Sequence, residues 1–376
     1  MEIILIRGGK MDHITKIGRI EAIALICIVM TNQIILNMPK NIIESCGSSS
    51  WVNVIFLGIL VLLLGLWISR LFRPFIGKDI LDVSEYLGGK LLKLVIGIAY
   101  ITLFLIISGS LLRYFSGTLK IIYYKNTPTF ILLIIFLIGA VVANQTGMKA
   151  ITRINLIIVP ILIASIMVLF LSTSKLFVAE RMFPILGYGI NETFFSGLSN
   201  LFAFGGIAFI YFIMPLLKNY GDFKKVTIVS IFISSIFLLF SVLSLLLVFP
   251  SLSNTTETLS LYSLARMVEY GRFFQRIDAF FIFLWIFSVF SYLSITLAFT
   301  LHIFKKISNI KNSKAMSSCF ATIVFAIALI SSNIAGARAI QQYVYKYYEL
   351  ILVFGISFIV LLLANWKIRK KKTTNT

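Results

Sequence analysis

Long apolar runs alternate with short polar segments along the whole chain. A helix needs roughly 20 apolar residues to cross the ~30 Å hydrocarbon core of a bilayer, and ten of these runs come close to that length or exceed it. The sequence therefore predicts an all-α polytopic membrane protein with ten transmembrane helices, in which residues 1–376 form a single integral membrane domain. The predicted spans are 20–37, 51–69, 94–112, 128–143, 151–172, 197–217, 226–248, 277–301, 315–333 and 346–363.

The composition supports this class and excludes others. Hydrophobic residues make up 59% of the chain, charged residues only 13%, and the mean hydropathy is +0.99. In soluble domains about a quarter of the residues are charged. The three cysteines and two histidines lack metal-ligand spacing, so neither a metal site nor another cofactor is expected. The sequence has no carboxylate pair, Ser-His-Asp set or phosphate loop, which predicts that the protein is not an enzyme.

The basic residues predict the orientation in the membrane. With an even number of spans and a cytoplasmic N-terminus, roughly two thirds of the 34 Lys and Arg residues fall on the cytoplasmic side. The positive-inside rule then predicts that both termini are cytoplasmic and that residues 367–376 form a basic tail beside the lipid headgroups. This arrangement accounts for most of the net charge of +20, so a nucleic-acid partner is not expected.

Two predicted spans contain polar or flexible interruptions at corresponding places. The first contains Thr31, Asn32 and Gln33, and the sixth contains Gly205-Gly206 near its middle. Ten helices divide into halves of about 20–172 and 197–363, so the interrupted spans are the first helix of each half. Broken helices at equivalent positions of two inverted halves indicate a ligand site at the bilayer midplane. The alternative for Gly205-Gly206 is close helix packing without a ligand.

The eighth span carries a stripe of polar side chains. Ser288, Tyr292 and Thr296 follow one another at intervals of four, so they share one face of a helix. Such a face can hydrogen-bond a small polar ligand. The alternative is that each hydroxyl bonds back to a backbone carbonyl of its own helix.

Several short motifs occur in one order along most of the chain, from about residue 14 to residue 366. They are Leu36-Asn37-Met38-Pro39, Ser84-Glu85-Tyr86-Leu87 before Gly88-Gly89-Lys90, Arg113 with Thr127-Pro128, Pro184-Ile185-Leu186-Gly187-Tyr188-Gly189, and Gln275-Arg276-Ile277-Asp278 with Trp285 and Lys305-Lys306. In these motifs the chain resembles the B-subunit family of spore germinant receptors, the GerAB-like branch of the amino acid–polyamine–organocation transporter superfamily.

The resemblance implies a LeuT-like five-plus-five inverted repeat with a ligand pocket between helices one, three, six and eight. Pocket positions of amino-acid-responsive members correspond here to Tyr292, Thr296, the Gly205-Gly206 region, Leu103 and Ile107. The chain departs from the family on the first helix. Asn32 and Ile34 stand where family members often have two glycines, which fills space beside the site and stiffens the helix.

The resemblance also implies a function. It is that of the membrane subunit of a germinant receptor in the spore inner membrane, working with A- and C-type subunits and binding a small nutrient of the amino acid type. In this interpretation Asn32 and Gln33 contact polar groups of the ligand, and the free backbone amides of Gly205 and Gly206 bind a carboxylate. The alternative from another class is an amino acid:cation secondary transporter that works in growing cells.

Charged residues within the membrane would indicate ion coupling, because each costs several kcal/mol unless it is paired or solvated. The predicted spans place no charge at their middle. Glu21, Arg113, Asp278 and Glu349 are all expected near span ends. This expectation argues mildly against proton coupling.

Overall fold

Every regular element in the described part of the chain is helical. The computed structural model describes residues 16–36, 38–249, 260–267, 277–310 and 315–373. The α-helices are α1 (Arg19–Leu36), α2 (Met38–Cys46), α3 (Ser50–Phe72), α4 (Ile80–Ile122), α5 (Thr129–Thr146), α6 (Met148–Ser172), α7 (Ile207–Ile213), α8 (Tyr220–Val248), α9 (Ser260–Arg266), α10 (Ile277–Ser308), α11 (Met316–Ile330), α12 (Ile334–Tyr343) and α13 (Ser357–Thr373).

A helical segment lies at each of the ten predicted positions. Among the described residues, seven helices are long and apolar enough to cross a membrane, and an eighth is formed if one bent pair counts as a single span. The chain is thus a multi-pass helical membrane protein. The number of ten crossings stays a prediction, because α1 is not among these helices and α11, with only 15 residues, falls short of the usual span length.

Burial separates central helices from peripheral ones. In the most apolar stretch of α10, 72% of the residues are buried inside the protein, compared with 28% in α5. α1 packs against α6, α8 and α10, and its residues 24–35 are all buried. A helix that is apolar on all sides is expected in such a central place. The polar side chains in α1 and α10 therefore face other helices.

The sixth span is broken where the sequence predicts. A 3₁₀ segment, Ser196–Phe204, and α7 meet at Gly205-Gly206, and the two parts of the span are bent by 49°. A Cβ atom on Gly206 would lie 2.6 Å from Cγ and 3.2 Å from Cα of Met30. The break therefore packs directly on the backbone of α1, which only glycine permits. Close helix packing was the alternative interpretation of these glycines, and the structure shows it at Gly206.

The predicted interruption of the first span at Thr31-Asn32-Gln33 is wrong. These three residues lie inside the continuous helix α1, and a second helix, α2, begins at Met38. The hydroxyl of Thr31 donates to the carbonyls of Cys27 (2.8 Å) and Ile28 (3.3 Å), a local bond that an α-helix accommodates. Residue 37 lies outside the described residues.

The third and tenth spans extend beyond their predicted bounds. α4 contains a kink at Gly88 and Gly89, where Gly89 has a φ of 72°, so residues 80–87 form a separate short helix. The tenth span runs from α12 through a π-helical segment, Val344–Ile356, into α13. The predicted bound of 346 is too late because the polar residues before it lower the hydropathy, although Gln341 and Tyr345 among them are buried.

The longer tenth span corrects the expectation for Glu349. This residue lies well inside the 38-residue helical stretch Ile334–Lys371 and is only 1% exposed. Asp278 does lie in the first turn of its helix, and Glu21 in the first turn of α1. The Arg113 guanidinium donates to the carbonyls of Ser331 and Ser332, just beyond the end of α11.

Candidate functional site

A cluster of buried polar side chains lies beside the break in the sixth span. Asn32 and Gln33 come from α1, Tyr292 from α10, and Tyr345 and Glu349 from the π-helical segment. Each of the five is no more than 1% exposed. π-Helical turns within α-helices occur frequently at functional sites. The extra residue in each turn of this segment changes which of its side chains point inward.

Gln33 is at the centre of this cluster. Its side chain contacts those of Glu349, Tyr292 and Tyr345. A carboxylate accepts but does not donate, so the amide nitrogen of Gln33 is the donor to Glu349. The amide oxygen, Oε1, is buried and has no hydrogen-bond partner among the residues that the structure describes.

Glu349 fills the space on the inner side of the helix break. A Cβ atom on Gly205 would overlap the carboxyl group of Glu349, so any larger residue at this position would displace that carboxyl group. Within the described ranges, the carboxylate oxygen Oε2 of Glu349 is buried without a hydrogen-bond partner. A buried, partly unpaired carboxylate is costly, and such groups are retained mainly where they have a function.

The expectation that Gly205 offers a free backbone amide to a ligand carboxylate is wrong. Its N–H donates to the carbonyl of Phe202 over 3.0 Å, as in a 3₁₀ turn. The carboxylate found against this glycine belongs to the protein's own Glu349. A second carboxylate at the same place would be repelled by the first if Glu349 is ionised.

Asn32 connects the first and eighth predicted spans. Its Nδ2 donates to the hydroxyl of Ser288 over 2.8 Å. Its Oδ1 is buried and lacks a partner in the described part of the chain. The structure thus brings together Asn32, Gln33, Ser288 and Tyr292, which the sequence singled out on two helices far apart in the chain.

The other predicted positions are buried but already satisfied by the protein itself. Thr296 donates to the carbonyl of Tyr292 (2.9 Å) and accepts a hydrogen bond from Ser108 of α4 (2.8 Å). The bond to Tyr292 is the alternative to ligand binding considered above, in which a hydroxyl bonds to a backbone carbonyl of its own helix. Leu103 and Ile107 are buried on α4, 0% and 2% exposed, and provide apolar surface.

A second polar cluster joins the short helix 80–87 to the end of α10. Lys306 contacts Asp79 at 2.7 Å and Asp82 at 2.6 Å, and His302 contacts Asp79 at 2.9 Å. Asp79 also accepts from the N–H groups of Leu81 and Asp82 and so caps α4. Burial by itself would raise the pKa of Asp79, but Lys306 and His302 hold that pKa well below its usual range.

Two of these features could not be read from the sequence. The sequence predicts Glu349 near a span end, and Asp79 lies too far from His302 in the chain to be recognised as its neighbour. The described residues contain no group of three or more His, Cys, Asp and Glu residues that could hold a metal ion. The apolar run lies on one side of Glu349 only, since Arg338, Gln341, Gln342 and Lys346 precede it, so hydropathy gives no signal for its place inside the span.

Solved structures with a similar fold are membrane transporters. A Na+-coupled sialic acid symporter aligns with a TM-score of 0.65 at 12% identity, over 91% of this chain and 80% of the symporter. A nucleobase-cation-symport-1 family transporter gives 0.65 at 14% identity, over 87% and 75% of the two chains. The manganese transporter of Eremococcus coleocola gives 0.62 at 11% identity, over 95% and 80%. The fold is therefore that of LeuT-type transporters.

Sequence comparison is more specific. The profile of the spore germination protein family matches residues 16–336, so the chain belongs to this family. Two relatives come from Bacillus subtilis. Spore germination protein B2 is 23% identical over 72% of this chain and 73% of its own length, and spore germination protein YndE is 21% identical over 95% and 99%. Both the family and the structural neighbours are membrane permeases and transporters and not enzymes.

Proposed function

We propose that this chain is the membrane subunit of a spore germinant receptor, which binds a small nutrient of the amino acid type and triggers germination. The observation that carries the proposal is the buried cluster beside Gly205-Gly206, in which polar oxygens lack partners within the described residues. Such atoms are rare in folded proteins and need an explanation. In a chain of the spore germination protein family, a nutrient ligand supplies one.

The proposed ligand site combines this cluster with the neighbouring positions on α1, α4, the sixth span and α10. Its predicted members are Thr31, Asn32, Gln33, Leu103, Ile107, Gly205, Gly206, Ser288, Tyr292 and Thr296. To these the geometry adds Glu349 and Tyr345. The residues 20–172 and 197–363 are the two proposed repeat halves, and the site lies where their first helices meet.

The proposed mechanism is a shift between two conformations. The residues of the cluster are all almost fully buried, so a ligand reaches them only after the surrounding helices separate. A ligand changes the populations of two states only if it binds them with different affinity. Contacts with both α1 and the sixth span would produce that difference, because these elements move relative to one another when the site opens.

The same proposal includes the location and the partners. The chain would lie in the spore inner membrane with both termini on the cytoplasmic side, in a complex with A- and C-type subunits. The family membership supports the spore, and the excess of basic residues on one side supports the orientation.

An amino acid:cation transporter is the second candidate. The fold of the symporters supports it, and so does Glu349, since a carboxylate within the membrane is typical of coupled transport. A transporter would accumulate labelled substrate in vesicles without other subunits and would be made during growth. A receptor subunit would require its partners and would be made in the developing spore.

Germination of spores that lack this chain tests the proposal. Loss of optical density would be followed after each of the single amino acids is added. A selective defect towards one or two nutrients, with other triggers unchanged, is the expected result. Normal germination on every nutrient, together with slower uptake in growing cells, would establish the transporter in its place.

A further inference from the structure

We propose that Glu349, with Gln33 and Asn32, forms a recognition site for the primary ammonium group of the ligand. The inference rests on the proposed function, because it names the chemical group that the nutrient must carry. It also assigns the central role to a residue of the tenth span, which lies outside the set that the sequence predicted.

The first argument concerns which atoms lack partners. Around the helix break, the unpaired atoms of the described residues are Asn32 Oδ1, Gln33 Oε1 and Glu349 Oε2. All three are oxygens that accept hydrogen bonds. An ammonium group has three donors and no acceptor, so it complements three acceptors. A carboxylate or a carbonyl has only acceptors and would leave every one of the three oxygens unpaired.

The second argument concerns the orientation of the two amide groups. Asn32 directs its Nδ2 to Ser288, and Gln33 directs its amide nitrogen to Glu349. Each amide is thereby held with its oxygen away from its donor contact. The carboxylate and the hydroxyl, which come from different helices, thus fix the acceptor side of both amides. The site is built by the fold and does not depend on one side chain.

The third argument concerns charge. A cation within the membrane is costly unless an opposite charge is close to it. Glu349 is the ionisable acid in this cluster, and Gln33 and Gly205 both contact it. An ammonium group of the ligand would therefore offset the free-energy cost of burying the Glu349 carboxylate, and the carboxylate would offset the cost of burying the ammonium.

The fourth argument comes from the continuity of α1. In a helix that unwinds, backbone carbonyls become free to bind an ammonium group. Here α1 continues through Thr31, Asn32 and Gln33, and the carbonyls of Cys27 and Ile28 accept from the Thr31 hydroxyl in addition to their helical role. Side-chain oxygens replace the backbone oxygens. In this arrangement the polar residues in the middle of an otherwise apolar helix supply the oxygens that bind the ammonium group.

The test uses the purified full-length chain in detergent and measures the shift of its melting temperature. The probes are the common amino acids, their amides, and the α-hydroxy acids that carry a hydroxyl in place of the ammonium. For the ligand whose side chain fits the site, we expect the amino acid and its amide to raise the melting temperature of the protein. The hydroxy acid with the same side chain should leave the melting temperature unchanged. Glu349→Gln should weaken the apparent affinity for the amine about 10- to 100-fold, the usual effect of losing a charged hydrogen-bond partner.

Glu85→Gln is the matched control, because it also removes one carboxylate, from a half-exposed residue that pairs with Lys93. It should bind every probe like the wild type. If Glu349→Gln fails to fold, the comparison of amine with hydroxy acid in the wild type still decides the question. Equal stabilisation by amino acid and hydroxy acid would overturn the inference. So would stabilisation by no amine at all, or by sodium chloride alone with none from amines.

Germination of spores that lack this chain distinguishes a failure of this inference from a failure of the proposed function on which it rests. If the deletion abolishes the response to a nutrient and the hydroxy acid binds as well as the amino acid, the receptor stands and the ammonium site is wrong. If the deletion strain germinates normally and no probe binds, both are wrong.

Discussion

The carboxyl group of Glu349 occupies the space in which a Cβ atom on Gly205 would lie. This contact joins the tenth predicted span to the break of the sixth, across more than a third of the chain. It explains the glycine at 205 by a side chain and not by backbone conformation. It also means that any change of Gly205 acts on Glu349.

Gly205→Ala tests this contact. The methyl group must displace the buried carboxyl group, and overpacking of this kind costs about 1 to 3 kcal/mol. We expect a lower melting temperature of the purified protein and loss of the nutrient response in spores. Gly355→Ala is the control, because nothing lies within 4 Å of its Cβ position, and it should leave both unchanged. A fully active Gly205→Ala protein would contradict the proposed place of Glu349.

The contact between Gln33 and Glu349 should appear as coupling in a double-mutant cycle. Gln33→Leu removes the amide beside the buried carboxyl group, and Glu349→Gln replaces the carboxyl group that this amide contacts. The two changes together should cost less than the sum of the single changes, by about 0.5 to 3 kcal/mol. The free energies of unfolding in detergent measure this difference. Additive costs would mean that the two side chains do not interact.

Substitution of Tyr292 or Gly206 should abolish the ligand response while the protein still reaches the membrane. Tyr292→Ala removes a buried ring between α1 and the tenth span, and Gly206→Leu places a side chain against Met30. Tyr292→Phe, which keeps the ring, separates the hydroxyl from the packing. The measurements are germination on the responsive nutrient and the amount of protein in the membrane fraction. Tyr347→Ala, at an exposed position, serves as the control.

Lys306→Met should destabilise the junction between the short helix 80–87 and α10. Asp79 is fully buried and would keep only His302 and its cap bonds, so we expect a loss of about 3 kcal/mol, the lower end for a broken buried pair. Lys224→Met, at an exposed position, should have little effect. Unfolding by denaturant measures both variants.

The same junction has a defined pH dependence. The pKa of Asp79 is lower in the folded protein than in the unfolded chain. Its stabilisation is therefore complete above the unfolded pKa of about 3.9 and is lost as the pH falls through the folded pKa. Asp79 by itself therefore adds no change to the cost of Lys306→Met between pH 7 and pH 5. Burial and the neighbouring Asp79 raise the pKa of Asp82, which also pairs with Lys306, so this cost should fall as the pH drops. A cost that rises on acidification would contradict this account.

Reporter fusions test the predicted orientation. Green fluorescent protein fused after the C-terminal residue should fluoresce, because it folds in the cytoplasm. Alkaline phosphatase fused after Ser174, between the fifth and sixth predicted spans, should be active, because that segment is expected outside. Two inactive reporters would reverse the orientation, and one active reporter together with one inactive reporter would contradict the odd number of crossings predicted between the two fusion points.

The amino-acid sequence was sufficient for the class of protein, the approximate position of each helix and the break at Gly205-Gly206. These features depend on local composition: an apolar run of sufficient length must be helical in lipid, and paired glycines weaken a helix wherever they stand. The sequence also identified Asn32, Gln33, Ser288 and Tyr292, because polar residues are conspicuous in apolar runs. The structure places Asn32 against Ser288 and Gln33 against Tyr292, and the role of these residues in ligand binding stays a prediction.

Only the tertiary structure decided where Glu349 and Asp79 act. Each is a charged residue whose neighbours in the chain are uninformative, and its partners come from helices more than a hundred residues away. The structure also decided that α1 stays helical through Thr31–Gln33, since buried packing on α6, α8 and α10 outweighs the weak helix propensity of Thr31 and Asn32. Hydropathy identifies membrane helices because each residue contributes separately to the free energy of transfer into lipid. A site depends on which side chains meet, and that is fixed by packing between distant segments.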